Sequence, residues 1–452
     1  MDQSFMKTKS IFPLVMAMSI PNILSMLINS LYNIVDSFFV ARISEQAMSA
    51  ISLVYPIQNL SLAIAVGFGI GTNAVIALRM GRGDQKQAGI AGTLGMALSA
   101  VHGLIVMALC MLVLPGFLGH YTDDPALLKM GLEYGYIVLG FCAVQHLFIE
   151  YEKIFQSFGR MKTTMCAMSF GCVVNVILDP IMIFGFGPIP AMGIAGAAWA
   201  TGIGMTLELG LYWILNRVTP LPIRFCRENL QRNRQILGRL YGVGAPASLN
   251  MALPSLLISA LNSILIRFSG IYIVVLGAYY KLQTCVYMPA NGLIQGIRPL
   301  VGYNFGAGEY DRVKKLHGLT SLLSALMMLL GTAVCLLFPR QLIGLFADHP
   351  DTIAEGAKAL QIISMGFLVS SVSITACGCM EGLGMGIPPM IISLLRYTVL
   401  IIPIAFLLSR FLGPAGVWHA FWVTEVLAAA AAWICYHRAL AQKMRTSTAE
   451  SE

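Results

Sequence analysis

Asp36 is the only residue charged at neutral pH in the first long apolar segment, which covers residues 11–40. About 20 apolar residues are enough to cross a bilayer, so this segment is long enough to span one. A carboxylate in the middle of a membrane costs about 3 kcal/mol on insertion scales, and chains that keep one generally use it for a proton, a cation or a substrate. The alternative is that Asp36 lies at a helix end, in water, with Arg42 as its companion.

A second acid lies in residues 175–180, which read Asn-Val-Ile-Leu-Asp-Pro. Asn175 and Asp179 are four residues apart and share one helix face, and Pro180 frees a backbone carbonyl close to them. Like charges at close range do not both ionise readily. If the helices that carry Asp36 and Asp179 touch, the two acids would therefore share a proton or a cation. The alternative is that the Asp-Pro pair simply ends a helix.

The elements that must position these acids are membrane helices. Of the 452 residues, 57% are hydrophobic and only 11% are charged, whereas soluble domains carry about 25% charge. The apolar runs far exceed the ~10-residue alternating strands of membrane barrels. The composition therefore predicts an all-α polytopic membrane protein. The net charge of +8 does not require a nucleic-acid partner, because cytoplasmic loops of membrane proteins are rich in Lys and Arg.

Hydropathy divides the chain into about twelve spans. Their approximate positions are 12–40, 48–78, 89–115, 130–156, 163–186, 191–215, 240–267, 272–304, 315–338, 357–381, 388–409 and 413–436. Basic residues concentrate in alternate loops, as at Arg82, Arg160 and Arg312, while Asp123 lies in a loop between them. The positive-inside rule then predicts a multi-pass protein of the cell membrane with both termini in the cytoplasm.

The two halves of the chain repeat at a constant offset of 225 residues. The matched pairs are Pro21 with Pro246, Arg42 with Arg267, Ser44 with Ser269, Tyr55 with Tyr280, Gln58 with Gln283, Gly67 with Gly292, Gly71 with Gly296, Gly81 with Gly306, and Gly83 with Gly308. After a deletion the offset is 220, and Gly193 then falls on Gly413. Such a parallel repeat predicts twelve transmembrane helices in two six-helix lobes, related by a pseudo-two-fold axis along the membrane normal.

The repeat also predicts the division of the chain. The expected parts are an N-lobe with helices 1–6 at residues 1–216, a cytoplasmic linker loop at 217–239, a C-lobe with helices 7–12 at 240–440 and a polar cytoplasmic tail at 441–452.

The two halves differ in their charged residues. Asp36 falls on Leu261, one residue before Asn262, so we expect charge-dependent chemistry in the N-lobe. The candidates for a second cation or substrate site in the C-lobe are Asn262, Gln283 and Glu381. Lys281 and Arg298 are nearly a full span apart and are expected to reach opposite membrane surfaces through their flexible stems.

The ordered motifs resemble the multidrug and toxic compound extrusion (MATE) transporters over nearly the whole chain. The resemblance is carried by Pro21 with Asp36, and by residues 67–71, 80–84, 158–161, 175–180 and 302–308. Within that family the chain is similar to the DinF-like, MepA-like bacterial branch. It is less similar to the NorM-like branch, whose seventh helix carries a glutamate where residues 252–256 read Ala-Leu-Pro-Ser-Leu. This difference argues against sodium coupling in the C-lobe.

The resemblance implies a secondary active antiporter of the bacterial inner membrane. Such a protein exports hydrophobic, often cationic compounds in exchange for protons or sodium by alternating access. In this chain the resemblance implies cation coupling at Asp36, Asn175 and Asp179, and helix bending at Pro21. It also implies a substrate cavity that contains Asn29, Tyr32, Tyr134, Tyr136 and Thr201.

Other functions fit the sequence less well. A lipid-linked precursor flippase or a dedicated metabolite exporter of the same superfamily is the nearest alternative, but such flippases line their cavity with arginines, which the N-lobe spans almost lack. Residues 81–84 imitate the GxGD motif of membrane aspartyl proteases, yet they lie in a loop that the repeat copies at 306–309. We therefore expect that the protein is not an enzyme. The expected partners are an amphiphilic small molecule and the lipid bilayer, with no nucleic acid, no metal, no cofactor beyond the coupling ion, and a monomeric state.

Overall fold

The computed structural model describes residues 3–230 and 233–449. Residues 1–2 of the predicted N-lobe, 231–232 of the predicted linker and 450–452 of the predicted tail lie outside the described residues. In the described part of the chain almost every element is a helix, and the exception is an isolated bridge between Phe186 and Ile189.

The helices are numbered in chain order. The first half contains α1 Phe5–Thr8, α2 Ile11–Ala41, α3 Glu45–Gly81, α4 Gln85–Tyr121, α5 Pro125–Gly140, α6 Cys142–Ser157, α7 Met161–Phe184 and α8 Ile194–Val218. The second half begins after a 3₁₀ turn at Arg227–Leu230 and contains α9 Arg234–Leu265, α10 Gly270–Gly306, α11 Tyr310–Leu337, α12 Pro339–Gly344, α13 Pro350–Ser364, α14 Phe367–Gly382, α15 Ile387–Leu394, a π-helical turn Leu395–Val399, α16 Ile401–Leu412 and α17 Pro414–Ala449.

The predicted twelve-span, all-α architecture is confirmed. Ten stretches of the described chain are long and apolar enough to cross a membrane, and one of them joins α15, the π-helical turn and α16. Two further spans are bent pairs of helices, α5 with α6 at 44° and α13 with α14 at 51°. Each predicted span coincides with one of these helices or pairs. The two bends were not predicted, because neither break contains a proline.

The internal repeat extends to the backbone of the turns. The ranges of α3 and α10 differ by the same 225 residues at both ends, as do those of α6 and α14. The matched glycines have matched positive φ angles, namely Gly83 at 76° with Gly308 at 77°, Gly159 at 71° with Gly384 at 72°, and Gly193 at 56° with Gly413 at 61°. Glycine adopts this left-handed region without a Cβ penalty, which explains why these turns kept glycine in both halves.

The chain divides into two compact units. Leu24–Ser248 form the first unit, while Ser4–Ile23 and the chain from Leu249 onward form the second. Both changes of unit fall inside a helix, α2 or α9, two residues after Pro21 and Pro246. The polar loop after α8 belongs to the first unit, where Arg160 donates to the Pro220 carbonyl oxygen at 2.8 Å.

Candidate functional site

The C-terminal half of α2 presents a row of polar side chains in the first unit. Asn29, Tyr32 and Asp36 follow one another at spacings of three and four residues, which places them on one helix face. Helix α7 contributes Asn175 and Asp179 from one face in the same way. Since all of these residues lie in Leu24–Ser248, the first unit alone builds the site.

The two acids meet. Asp179 is fully buried, Asp36 is half-buried, and their carboxyl groups lie within hydrogen-bonding reach of each other. An ionised carboxylate only accepts hydrogen bonds, so a bond between two carboxyl groups requires a proton on one of them. Asp179 Oδ1 has no hydrogen-bond partner in the described part of the chain. The pair is therefore a candidate to share a proton, or a cation in its place.

Asn175 and Thr201 orient the buried acid. The Asn175 amide, assigned from its partners, donates to Asp179 Oδ2 at 2.8 Å and accepts from the backbone nitrogen and the hydroxyl of Thr201 at 2.9 Å and 3.2 Å. The Tyr32 hydroxyl group lies within hydrogen-bonding reach of the Thr201 side chain. Thr201 of α8 thus connects the acid pair, through Asn175, to Tyr32 of α2.

Tyr134 of α5 completes the group of polar residues. It is buried within electrostatic reach of both acids, and Gln58 Nε2 of α3 donates to its hydroxyl group at 3.4 Å. The sequence did not identify Gln58 as a site residue, although it identified Gln283, the match of Gln58 in the repeat. The repeat was the signal that could have revealed it.

A small cavity adjoins the acids. Its volume is about 90 Å³, and its polar lining includes Asn29, Tyr32, Asn175 and Thr201. Glu208 of α8, which the sequence did not assign to the site, also lines it and is buried with Oε1 unpartnered among the described residues.

The two other predicted cavity residues, Tyr134 and Tyr136, do not line this cavity. Tyr134 does not line this cavity but is buried beside the acids. Tyr136 lies on an exposed face of α5, with 41% of its surface accessible. Residues two positions apart on a helix do not face the same side. The structure therefore brings Tyr134 to the site and leaves Tyr136 outside it.

Neither alternative for the acids describes the structure. The Arg42 guanidinium group lies over the Phe38 ring, 4.5 Å from its centroid, rather than against Asp36. Helix α7 continues through Pro180 to Phe184, so Asp179 does not end a helix. Residues 81–84 form the expected turn, in which the Asp84 side chain caps α4 by accepting from Gln87 N at 3.1 Å.

Pro21 lies within the continuous helix α2. A proline has no N–H group, so the carbonyl group of Ala17 receives no helical hydrogen bond there. Asn22 Nδ2 donates to the next carbonyl oxygen, that of Met18, at 3.2 Å, and so does not replace the missing bond. The backbone of α2 is therefore weakest just before the position where the helix passes from the second unit to the first.

The structure does not bring the three C-lobe candidates together. Glu381 lines a cavity of the second unit, and neither Asn262 nor Gln283 lines it. Arg298 does not reach the membrane surface as expected, because it is 8% exposed and its Nη2 donates to Glu381 Oε2 at 2.7 Å. A buried ion pair with good hydrogen bonding offsets the cost of burying the charge, which removes the need to extend to water.

Comparisons with known proteins agree with this fold. A family model described as MatE matches residues 21–181 and 246–407. The multidrug export protein MepA of Staphylococcus aureus is 25% identical, covering 99% of this chain and 98% of that protein. The FAD transporter of Shewanella oneidensis is 22% identical, covering 96% of each. A crystal structure of MATE in the bent conformation matches with a TM-score of 0.92 at 21% identity, covering 99% of both chains.

Proposed function

Since this chain belongs to the MatE family of multidrug and toxic compound extrusion transporters, we propose that it exports hydrophobic, often cationic compounds in exchange for protons or sodium ions. The family consists of multi-pass membrane transporters and not of enzymes. The observation that carries the proposal is the pairing of half-buried Asp36 with fully buried Asp179, which Asn175 holds beside a cavity. The name of the MepA relative supports multidrug export.

The acid pair supplies the coupling. With a proton between them, Asp36 and Asp179 carry one negative charge, and loss of that proton leaves two. Charges attract strongly where the dielectric constant is low, so the deprotonated pair favours a cation in the adjoining cavity. Asn175 keeps Asp179 in place through this exchange, and Thr201 connects it to Tyr32 of the cavity wall. The coupling ion and a cationic substrate then compete for the same charges, which is the requirement for antiport.

Pro21 supplies the conformational step. Helix α2 carries Asp36 in the first unit and begins in the second unit, and the change of unit falls two residues after Pro21. Bending at a position with a missing hydrogen bond costs little. A change of charge at Asp36 can therefore bend α2 and alternate access to the cavity.

The cavity must enlarge to admit a drug. Sites for drug-sized ligands hold about 300–1,000 Å³, whereas this cavity holds about 90 Å³. Its apolar lining includes Phe148, Met168 and Met205, and methionine side chains adapt to ligands of different shape. Entry of a drug therefore requires the helices around this polyspecific apolar wall to move. Alternating access provides that movement.

The proposal includes the setting of the protein. It acts as a monomer in the cell membrane with both termini in the cytoplasm, its partners are the bilayer and the amphiphilic substrate, and its only cofactor is the proton or sodium ion. The C-lobe residues Asn262, Gln283 and Glu381 are not part of the coupling step.

Export of a dedicated metabolite is the second candidate function. The relative named FAD transporter matches the chain over nearly its whole length, and the cavity of the second unit is lined by Arg298 and Arg396. Guanidinium groups recognise phosphates and carboxylates, so an anionic metabolite fits that observation better than a cationic drug does.

Efflux from proteoliposomes tests the proposal. Vesicles loaded with the cationic dye ethidium receive an imposed proton or sodium gradient, and the gradient that drives efflux identifies the coupling ion. We expect Asp36→Asn to abolish gradient-driven efflux, and Glu133→Gln, which removes an exposed acid of α5, to retain it. Undiminished efflux by the Asp36→Asn protein would contradict the coupling role. Efflux of FAD in place of ethidium would favour the second candidate.

A further inference from the structure

The second unit contains a cavity that the coupling site does not use. Its volume is about 320 Å³, within the range of small-molecule sites. All of its lining residues lie between Asn250 and Tyr397, on α9, α10, α14, α15 and the π-helical turn. The second unit therefore forms this cavity by itself.

The repeat shows that the two cavities occupy the same place in their halves. Five lining positions of the first cavity recur in the second at the offset of 225 residues. These pairs are Asn29 with Pro254, Phe148 with Ser373, Met168 with Ser393, Gly171 with Arg396, and Cys172 with Tyr397. The duplicated fold thus has a cavity in each copy, and the side chains have diverged.

The divergence changes which charged groups line the cavity. In the first unit, Gly171 leaves room for the carboxylate group of Glu208, since a Cβ there would lie 2.7 Å from Glu208 Oε2. In the second unit the matching position is Arg396. The lining of the first cavity has one acid and no arginine or lysine among the described residues, whereas the lining of the second has two guanidinium groups and one carboxylate.

Both arginines are buried and held in place. Arg396 Nε donates to Glu425 Oε1 at 2.7 Å, and Arg298 Nη2 donates to Glu381 Oε2 at 2.7 Å. Each guanidinium group has five N–H donors, more than one carboxylate partner uses. Arg298 Nε is buried without an acceptor among the described residues. Arg298 therefore has a donor to spare for a ligand, while Arg396 Nη2 also donates to the Tyr287 hydroxyl group at 3.3 Å.

The backbone at Arg396 is also unusual. Arg396 lies in the π-helical turn Leu395–Val399, between α15 and α16. Such turns are rare and occur frequently at functional sites. In the first unit the matching segment lies within α7, which is helical from Met161 to Phe184 without such a turn. The turn is thus particular to the half that carries the arginine.

We propose that this cavity binds an amphiphilic organic monoanion, with its carboxylate or phosphate group at Arg298 and Arg396. The apolar part of the ligand would contact Ile294, Ile374 and Ile392, which line the same cavity. This site does not rest on the proposed cation coupling; it assigns binding residues to the second candidate function, export of an anionic metabolite. The opposing interpretation is a purely structural role, in which one ion pair only joins α10 to α14 and the other joins the π-helical turn to α17.

Calorimetry tests the charge preference of the cavity. It measures the binding of three matched probes to the purified full chain in detergent. The probes are naphthoate, naphthylmethanol and naphthylmethylammonium, which share one ring system and differ in charge. We expect naphthoate to bind at least about tenfold more tightly than naphthylmethanol, a difference of about 1.4 kcal/mol. Naphthylmethylammonium, a cation of the kind proposed to bind beside Asp36 and Asp179, should not displace naphthoate. Equal binding of naphthoate and naphthylmethanol, or no binding of naphthoate, would overturn the proposal.

A charge reversal separates ligand binding from structure. The double variant Arg396→Glu/Glu425→Arg keeps an ion pair between the π-helical turn and α17, so a purely structural role predicts that the folded protein binds naphthoate as before. We expect it to lose at least about tenfold in naphthoate affinity, whereas Arg340→Gln, which removes an exposed arginine, should bind like the native chain. If the reversed pair does not fold, as judged by thermal unfolding, Arg396→Gln/Glu425→Gln serves instead with the same expectation. Native affinity in the folded variant would overturn the proposal.

Discussion

In the proposed mechanism, Asp179 is the residue on which the coupling depends. It is fully buried, its Oδ2 accepts from Asn175, and its Oδ1 has no hydrogen-bond partner among the described residues. The cost of keeping an ion away from water in a protein is several kcal/mol, more than the net 1.5–3 kcal/mol or so that one hydrogen bond to a charged group returns. A proton or a bound cation therefore has to share the pair, and this requirement makes the site responsive to an ion gradient.

Thr201→Val tests how the acid pair communicates with the cavity. The change keeps the shape of the side chain but removes the hydroxyl group that contacts Tyr32 and Asn175. A lost hydrogen bond of this kind costs about 1 kcal/mol, so we expect the KM for ethidium efflux to rise about fivefold.

Thr206→Val is the control for this change. Thr206 is exposed on the same helix, and its hydroxyl group bonds only within that helix, to the Gly202 carbonyl oxygen at 2.7 Å. Its KM should stay unchanged. An equal effect of the two substitutions would show that Thr201 acts only through the stability of α8.

Close helix packing at matched glycines holds the helices that carry the site. Gly196 of α8 lies against the backbone of Met182 in α7, and its match, Gly416 of α17, lies against the backbone of Leu408 in α16. A Cβ at either position would overlap a carbonyl oxygen. Small residues at helix contacts allow such an approach in membrane proteins, and here they bring Thr201 to Asn175.

Gly196→Ala should destabilise the protein. The added methyl group would overlap backbone atoms, which do not move as a flexible side chain does, so we expect a loss of about 1–3 kcal/mol, seen as a lower unfolding temperature in detergent. Gly210→Ala on the same helix is the matched control, because nothing lies within 4 Å of its added Cβ. The same decrease at both positions would contradict the packing role of Gly196.

Pro21→Ala tests the bending of α2. The alanine restores a hydrogen bond to the carbonyl group of Ala17 and stiffens the helix, so we expect slower ethidium efflux with dye affinity unchanged. Pro56→Ala provides a control, since Pro56 is an exposed proline within α3. A Pro21→Ala protein that transports at the native rate would show that α2 does not bend there during the cycle.

Much of the helix arrangement was predictable from the sequence. The features that were not predictable have a physical cause. Apolar length determined the spans, and spacing placed Asn175 with Asp179 on one face. The contact of Gln58 with Tyr134 and the ion pair of Arg298 with Glu381 could not be read from the chain. Such contacts depend on how one helix is rotated against another, and hydropathy carries no information on that rotation.

The whole molecule is a duplicated chain in which each half has kept its helices and turns but not its charges. The repeat predicted the matched turns of Gly83 and Gly308. It did not predict that the compact units change inside α2 and α9, because contacts between distant segments decide where a unit ends. Duplicated cavities with different charge give the molecule two distinct sites for ligands.

The topology of the whole chain has its own test. The distribution of basic loops predicts that both termini lie in the cytoplasm. A green fluorescent protein fused after the last residue should therefore fluoresce, and alkaline phosphatase inserted at Asp123, in the loop between α4 and α5, should be active outside. Activity of alkaline phosphatase fused at the C-terminus would show that the predicted orientation is wrong.

Proton release on cation binding examines the exchange at Asp36 and Asp179 directly. Tetraphenylphosphonium is added to the purified protein in weakly buffered, sodium-free detergent solution, and a pH indicator counts the released protons. A protonated pair has the smaller negative charge, so affinity should weaken as the pH falls, and near neutral pH up to about one proton should leave per cation bound. Asp36→Asn should release none, while Glu133→Gln should behave like the native chain. Cation binding by the native protein without proton release, or undiminished release by the Asp36→Asn protein, would contradict proton coupling at this pair.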